Sequence, residues 1–147
     1  MYDLYCGTGS ISLFLSRQCR SVLGIEVIES AILDARTNAD ANQVKNCEFL
    51  QLDMKNFGKS MQNLRKEELP DVVVADPPRA GMHPKAITAL AELYPRRIIY
   101  VSCKPTSLAR DAQALCQTGR YHLGPVYPVD MFPHTFHVEA MAVLDRI

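Results

Sequence analysis

The chain has no excess of charge of either sign, because its 16 lysines and arginines balance its 16 aspartates and glutamates. A protein that binds a nucleic-acid backbone unaided is usually basic, since neutralising phosphates drives the affinity. The composition therefore argues against a stand-alone nucleic-acid binder. It is compatible with an enzyme whose affinity for a nucleic acid comes partly from residues elsewhere.

Long apolar runs are also missing. No run reaches the ~18–20 residues that span a membrane, and the first residues show no pattern from which we would expect a signal peptide. The five cysteines have no C-x-x-C spacing, which argues against a structural zinc or redox motif, and their odd number fits reduced thiols. We therefore expect a soluble, cytoplasmic and monomeric protein with no metal site and no membrane partner.

What is present is enough for one domain with one core, because 48% of the 147 residues are hydrophobic. Strand-like and helix-like segments alternate. The sequence predicts strands at 2–6, 21–26, 47–52, 71–76 and 97–102, and helices at 10–16, 29–42, 84–94 and 108–117. Such alternation is typical of an α/β fold with a doubly wound, mostly parallel sheet.

The last part of the chain departs from this alternation. Residues 121–147 have no strong helical period and are predicted to form two strands joined by a turn around Pro133 and His134. The polar segment 58–68 is the longest predicted surface connection. Because Met1 directly precedes the first strand, we expect a single domain, 1–147, from the C-terminal part of a longer protein.

Chemically useful residues follow the predicted strands. Ligands of open α/β sheets bind at the carboxyl ends of the strands. The residues that end a strand or lie within two residues of its end are Gly7-Thr8-Gly9, Glu26, Asp53, Asp76 and Cys103. We therefore expect them at one edge of the sheet.

The first three of these groups suggest a nucleoside site. The turn from Gly7 to Gly9 would let the backbone approach a ligand, although an ordinary strand–helix turn looks the same. Glu26 could accept hydrogen bonds from ribose hydroxyls or be a solvated strand end. The third glycine of a dinucleotide site is absent, which favours a ligand without phosphates, such as S-adenosylmethionine. Asp53 could bind the adenine amino group or cap the next helix.

The fourth strand ends in Asp76-Pro77-Pro78-Arg79. The prolines stiffen this turn, and a stiff turn can hold a substrate base, although it could also simply end the strand. Methyltransferases that act on exocyclic amines of bases often have tyrosine in the place of Arg79. The arginine therefore argues against amine methylation.

A cysteine and a glutamate complete the set of candidate residues. Cys103 follows the fifth strand, and the adjacent Lys104 would favour the thiolate, which is the reactive form. The alternative is a buried structural cysteine. Glu139 lies in an otherwise apolar strand, where a carboxylate is costly unless it is bonded or functional. The nearby His134 and His137 are equally compatible with a structural role.

Cys103 and Glu139 fit one reaction. Uracil C5 is too weak a nucleophile to take a methyl group unaided, and attack of a thiolate on C6 activates it. A general base must then remove the C5 proton so that the cysteine can leave, and a carboxylate can do this. The target uracil must also leave its stack to be reached.

Together these motifs resemble the RNA 5-methyluridine methyltransferases, which modify tRNA and 23S ribosomal RNA. The resemblance is carried by residues 3–9, 76–81, 100–105, 132–135 and 137–139. It implies a Rossmann-like, class I S-adenosylmethionine methyltransferase fold with an antiparallel C-terminal hairpin strand. It also implies S-adenosylmethionine as the cofactor and RNA as the substrate.

The resemblance implies that Cys103 is the nucleophile and Glu139 the general base. The residues expected to bind the cofactor are Tyr5, Gly7, Gly9, Glu26, Asp53 and Asp76. Relatives carry an upstream RNA-binding segment, often a small β-barrel, and some hold an iron–sulfur cluster there. Two alternatives stay open, namely a cofactor-binding fragment without independent activity and an RNA cytosine-C5 methyltransferase.

Overall fold

The computed structural model describes residues 1–61, 69–131 and 133–147. The strands are β1 (Tyr2–Leu4), β2 (Val22–Glu26), β3 (Cys47–Gln51), β4 (Val72–Ala75), β5 (Arg97–Ser102), β6 (Tyr121–Val129) and β7 (Glu139–Arg146). The helices are α1 (Ser10–Ser16), α2 (Glu29–Ala41), α3 (Phe57–Met61), α4 (Pro84–Leu93) and α5 (Pro105–Gln117). A short 3-10 turn at Met54–Asn56 precedes α3.

The strands form one sheet in the order β3-β2-β1-β4-β5-β7-β6. Strands β1 to β5 run parallel, whereas β7 is antiparallel to both β5 and β6. This topology confirms the predicted α/β sheet with an antiparallel hairpin at its C-terminal side. The strand order reverses between β1 and β4, and such a switch point opens a crevice at the carboxyl ends of the strands.

Helices pack on both faces of the sheet. One face of the central strands β1, β4 and β5 packs with α4 and α5 into the main core, whose fully buried members include Leu4, Val73 and Leu90. On the opposite face, α2 packs over β2 and β3 through a smaller cluster that contains Ile32 and Phe49. This cover keeps the central strands rigid, so the turns that follow them have fixed positions.

Element boundaries differ from the prediction by more than one residue at three places. Strand β1 ends at Leu4 because Tyr5 adopts a left-handed backbone with φ 64°. Helix α5 begins at Pro105, three residues earlier than expected, because proline suits the first position of a helix. The segment 58–68, predicted as a surface connection, is helical up to Met61, and its residues 62–68 lie outside the described ranges.

The C-terminal hairpin has the predicted turn. Pro133 and His134 lie in a turn, and His134 adopts φ 70°, while the neighbouring Phe132 lies outside the described residues. Across the described ranges, no helix combines the length and the apolar character needed to cross a membrane. Within the same ranges, no group of three or more His, Cys, Asp or Glu side chains is arranged to hold a metal ion.

Candidate active site

The parallel strands bring the predicted residues to one edge of the sheet. Tyr5 and Gly7 follow β1, and Asp76 follows β4, so these residues flank the crevice at the switch point. The last residue of β2 is Glu26, and Cys103 directly follows β5. The fold therefore places these predicted residues at one edge of the sheet, and their role in binding a ligand stays a prediction.

The glycine turn leaves open space on its outer side. Gly7 has φ +53°, and a Cβ added there would meet no atom within 4 Å. At Gly9, with φ +84°, an added Cβ would lie 3.0 Å from the ring of Phe49 and 3.2 Å from Ala35. Gly9 thus permits close packing inside the protein, whereas Gly7 keeps the backbone accessible to a ligand.

The carboxylate of Glu26 is anchored by the backbone. Its Oε2 accepts a hydrogen bond from the N–H of Gly7 at 3.2 Å. Its Oε1 accepts bonds from the N–H groups of Val27 at 2.7 Å and Ile28 at 3.0 Å. Glu26 is therefore more than a solvated strand end, because it connects the glycine turn to β2 and has a fixed orientation.

Asp53 has the capping contact that the sequence left open. Its Oδ1 accepts a hydrogen bond from the N–H of Lys55 at 2.8 Å, at the start of the 3-10 turn. This bond fixes the side chain next to the end of β3. A role for Asp53 in binding adenine stays a prediction.

Tyr5 is held in a strained conformation beside the crevice. A left-handed backbone at a non-glycine residue costs on the order of 1–3 kcal/mol and persists only where the surroundings impose it. Burial raises the pKa of the Tyr5 hydroxyl to about 12, and the backbone N–H of His83 opposes this increase. The phenol therefore stays protonated at neutral pH and lies near the turn that follows β4.

Asp3 is a buried carboxyl that the sequence reasoning did not single out as a site residue. It is fully buried, and its Oδ2 accepts a hydrogen bond from Ser12 Oγ at 2.6 Å. Its Oδ1 has no hydrogen-bond partner within the described ranges. Burial raises the pKa of Asp3 to about 6, and the charge of Asp76 adds to the increase.

Asp76 has a related electrostatic property. Its side chain is accessible, yet the surrounding protein atoms desolvate the carboxyl and raise its pKa. Two interacting carboxyls thus lie beside the switch point, and burial disfavours the charged form of each. A ligand that carries positive charge would stabilise both carboxylates.

Cys103 and Glu139 lie next to the last residue pair of the β5–β7 ladder. Ser102 lies opposite Ala140 in this antiparallel pair, so Cys103 and Glu139 are each one residue further towards the same edge. Residues directly opposite each other in an antiparallel pair point to the same face of the sheet. Both side chains are half-buried, so both are partly accessible from solvent.

The turn that carries Cys103 is fixed by its neighbours. The hydroxyl of Ser102 donates to the carbonyl of Lys104 and accepts from the N–H of Lys104, both at 3.0 Å. Lys104 is the residue before the first turn of α5. The serine therefore holds the backbone on both sides of Cys103 in place.

The other cysteine near the crevice differs from Cys103. Cys6 is buried, and burial raises the pKa of its thiol to about 12. A thiol with this pKa is almost entirely protonated at neutral pH, so Cys6 is a poor nucleophile. Its position in the core fits the usual structural role of a free cysteine.

The two histidines lie on the surface of the hairpin turn. The ring of His137 packs at 4.3 Å, between centroids, against Phe136, whose side chain is 89% exposed. The hydroxyl of Thr135 accepts a hydrogen bond from the N–H of His137. This contact is local to the turn and fits the structural interpretation of His137.

Comparison with known proteins identifies the relatives of the chain. The family model for tRNA (uracil-5-)-methyltransferases matches residues 1–147. An uncharacterised RNA methyltransferase of Chlorobaculum tepidum is 49% identical over 146 residues, which are 99% of this chain and 30% of that protein. One from Bacteroides thetaiotaomicron is 48% identical over 145 residues, which are 99% of this chain and 31% of that protein.

Solved structures agree with this result. The tRNA (uracil-54, C5)-methyltransferase of Pyrococcus abyssi, in complex with S-adenosyl-L-homocysteine, superposes with a TM-score of 0.82. It is 36% identical, and the match covers 97% of this chain and 33% of that chain. The magnesium protoporphyrin IX methyltransferase of Synechocystis, with bound SAH, superposes at 0.70 with 17% identity, covering 99% of this chain and 73% of that chain. The latter similarity shows the fold alone.

The sheet and its crevice have the fold of the class I S-adenosylmethionine methyltransferases. Within this class the chain belongs to the tRNA (uracil-5-)-methyltransferase family of RNA methyltransferases. It spans about a third of the length of the relatives that it matches.

Proposed function

We propose that this chain is the catalytic domain of an enzyme that methylates C5 of a uridine in RNA, with Cys103 as nucleophile and Glu139 as general base. The observation that carries the proposal is the β5–β7 register, with Ser102 opposite Ala140. It supports a nucleophile and a base on one face, beside the crevice of a family methyltransferase. The chain acts as one domain.

The residues around the crevice fit the cofactor. Gly7 offers open space, and the fixed carboxylate of Glu26 is oriented to accept bonds from ribose hydroxyls. Asp76 would face the amino-acid part of S-adenosylmethionine, whose positive charges suit a desolvated carboxylate. In the proposed set Gly9 shapes the turn, Tyr5 borders the crevice, and Asp53 binds the adenine amino group.

In the proposed mechanism, Cys103 Sγ forms a bond to C6 of the uracil, and the electrons of the C5–C6 double bond move towards the C4 carbonyl. The resulting enolate makes C5 nucleophilic. S-adenosylmethionine, when bound, supplies an electrophilic methyl group. Once C5 carries the methyl group, Glu139 accepts the C5 proton, the C5–C6 double bond re-forms, and the thiolate of Cys103 leaves.

Fluorine at C5 of the target uridine gives a direct test, because it blocks the final proton removal and leaves the RNA covalently attached. We expect the complete protein to form such an adduct with 5-fluorouridine RNA in the presence of S-adenosylmethionine. Cys103→Ala should abolish the adduct. Glu139→Gln should methylate ordinary RNA but release it at least about 100-fold more slowly, since one positioned base typically contributes 10²–10⁴. Gel shift and single-turnover kinetics measure both effects.

A matched control is Cys116→Ala, which removes a half-buried thiol of α5 and should leave adduct formation intact. An adduct with Cys103→Ala would exclude Cys103 as the nucleophile, and normal turnover with Glu139→Gln would exclude Glu139 as the base. Methylation assays with tRNA and 23S rRNA fragments, each with uridine or cytidine at the target position, show which RNA and which base the enzyme modifies. The relative from Pyrococcus abyssi favours tRNA.

A further inference from the structure

We propose that Asp111 is a positioning residue that fixes the turn after β4, residues 76–83, to helix α5 and so sets its distance from Cys103. The inference rests on the proposed function, because it concerns the spacing between the nucleophile and the turn that faces the substrate. Asp111 lies in the second turn of α5. The same helix begins two residues after Cys103.

Three bonds from α5 hold the turn. Ser107 Oγ donates to the carbonyl of Arg79 at 2.7 Å, and Arg110 Nη2 donates to the carbonyl of Ala80 at 2.7 Å. The N–H of Met82 donates to Asp111 Oδ2 at 2.7 Å. Backbone groups on both sides of position 81 are thereby bonded to a single helix, so the turn cannot shift without breaking several bonds.

Asp111 is the centre of this arrangement. It is fully buried, and its Oδ2 also accepts the hydroxyl of Tyr100 at 2.6 Å. Its Oδ1 accepts Nε and Nη2 of Arg110 at 2.9 and 2.7 Å. Burial, together with the bond to Asp111, raises the pKa of Tyr100, so the phenol remains a donor. A carboxylate satisfied by four donors has one allowed position.

Gly81 shows how closely the turn approaches the helix. It has φ +84°, and a Cβ added there would overlap the guanidinium of Arg110 and lie 2.5 Å from Asp111 Oδ2. Only glycine therefore permits this contact. The close approach also brings the backbone N–H of His83 towards the hydroxyl of Tyr5, so the held turn reaches the cofactor crevice.

In this proposal Asp111 contacts neither the substrate nor the cofactor. It acts by setting the distance between the turn after β4 and Cys103. The turn carries Pro77-Pro78-Arg79 against the expected position of the uracil, and β5 carries Cys103. A displacement of about 1 Å between reacting groups can cost about 100-fold in rate. Loss of the bonds at Asp111 should therefore slow attack by Cys103 without removing any group that takes part in it.

The test uses Asp111→Asn in the complete protein. The amide NH2 cannot accept a hydrogen bond, and it must replace either the oxygen that faces Arg110 or the one that faces the N–H of Met82. About half of the bonds are therefore lost. We expect adduct formation with 5-fluorouridine RNA to slow about 10- to 100-fold per folded molecule. The Kd for S-adenosylmethionine should stay within about threefold. Amide hydrogen exchange should increase across residues 79–83, the part of the turn after its prolines that carries amide hydrogens, and stay unchanged in the central strands.

Asp145→Asn is the matched control, because it breaks an Arg–Asp pair, with Arg97, at the opposite end of β5. It should leave the adduct rate and the exchange of the turn unchanged. Tyr100→Phe removes one donor to Asp111. It should also slow adduct formation and increase exchange in the turn, but by less than Asp111→Asn, so it keeps the test valid if Asp111→Asn does not fold.

Two results would overturn the inference. One is unchanged amide exchange at residues 79–83 in folded Asp111→Asn or Tyr100→Phe. The other is a slower adduct formation that is fully explained by an equal loss of affinity for S-adenosylmethionine. A purely structural role of Asp111 would produce that result. If the wild type forms no adduct, the proposed function fails, while the exchange measurement still decides whether Asp111 holds the turn.

Discussion

At the residue scale, sequence reasoning found side chains whose chemistry is visible in their type and position. Cys103 and Glu139 stood out because a cysteine at a strand end and a carboxylate in an apolar strand are unusual, and both lie next to the last residue pair of the β5–β7 ladder. Asp3 was not singled out because its significance comes from burial and an unpaired Oδ1 atom. Burial of this kind depends on the packing of α1 over β1, which a local pattern does not reveal.

The raised pKa of Asp3 predicts a dependence of stability on pH. The carboxyl has a pKa of about 6 in the fold, against an ordinary value of 3.8, so between these two pH values the folded state binds more protons than the unfolded state. The free energy of unfolding should therefore fall by about 2–3 kcal/mol as pH rises from about 4 to above 6. In Asp3→Asn the free energy of unfolding should not show this decrease with pH. Urea unfolding at several pH values measures it.

Ser12→Ala provides the control for this prediction. It removes the hydrogen bond to Asp3 Oδ2 but keeps the carboxyl buried, so the fall in stability with pH should persist. The same fall in Asp3→Asn as in the wild type would show that another group is responsible.

At the element scale, the alternation of strand-like and helix-like segments predicted the order of most elements. Prolines and glycines at the segment ends located most of the boundaries. The early end of β1 was missed because the left-handed Tyr5 is imposed by tertiary contacts and not by the residue itself. The 3-10 turn at Met54–Asn56 was missed because three residues carry no periodic signal. The contact between α5 and the turn after β4 joins residues about thirty positions apart, which no local pattern shows.

The turn between β1 and α1 makes a separate prediction. Gly7→Ala should weaken the binding of S-adenosylmethionine at least about 10-fold, because the new methyl group occupies the open space reserved for the ligand. Its effect on stability should be about 1–2 kcal/mol, the cost of a left-handed alanine. Calorimetric titration and urea unfolding measure the two effects.

Gly119→Ala is the matched variant. Gly119 also has positive φ, +70°, and no atom within 4 Å of an added Cβ, but it lies after α5, away from the crevice. It should lose similar stability and keep its affinity for the cofactor. Equal affinities for the two variants would remove Gly7 from the proposed cofactor site.

At the scale of the whole molecule, the neutral charge and the length of the relatives lead to one expectation. The chain has a net charge of zero and spans about a third of the proteins that it matches. We expect the 147-residue chain to bind S-adenosylmethionine like the complete protein but to bind RNA at least about 10-fold more weakly, with a smaller dependence on salt. An RNA-binding segment outside these residues would supply the difference.

Fluorescence anisotropy with labelled RNA at several salt concentrations measures this difference, and calorimetry measures the binding of the cofactor. Equal RNA affinity and equal salt dependence for the two proteins would show that the described domain carries the whole RNA site. Cofactor binding without methyl transfer by the isolated chain would instead favour the fragment that binds the cofactor but is inactive alone.

The position of β7 also has a consequence for biosynthesis. This strand follows β6 in the chain but lies between β5 and β6 in the sheet, so β6 gains its place only after β7 has been synthesised. A growing chain on the ribosome therefore exposes Cys103 well before Glu139 exists. Because β7 carries the proposed base and also links β6 to the sheet, the sheet and the proposed reactive pair are completed by the same strand. A nascent chain that ends before β7 would therefore lack the residue that we propose to resolve the adduct.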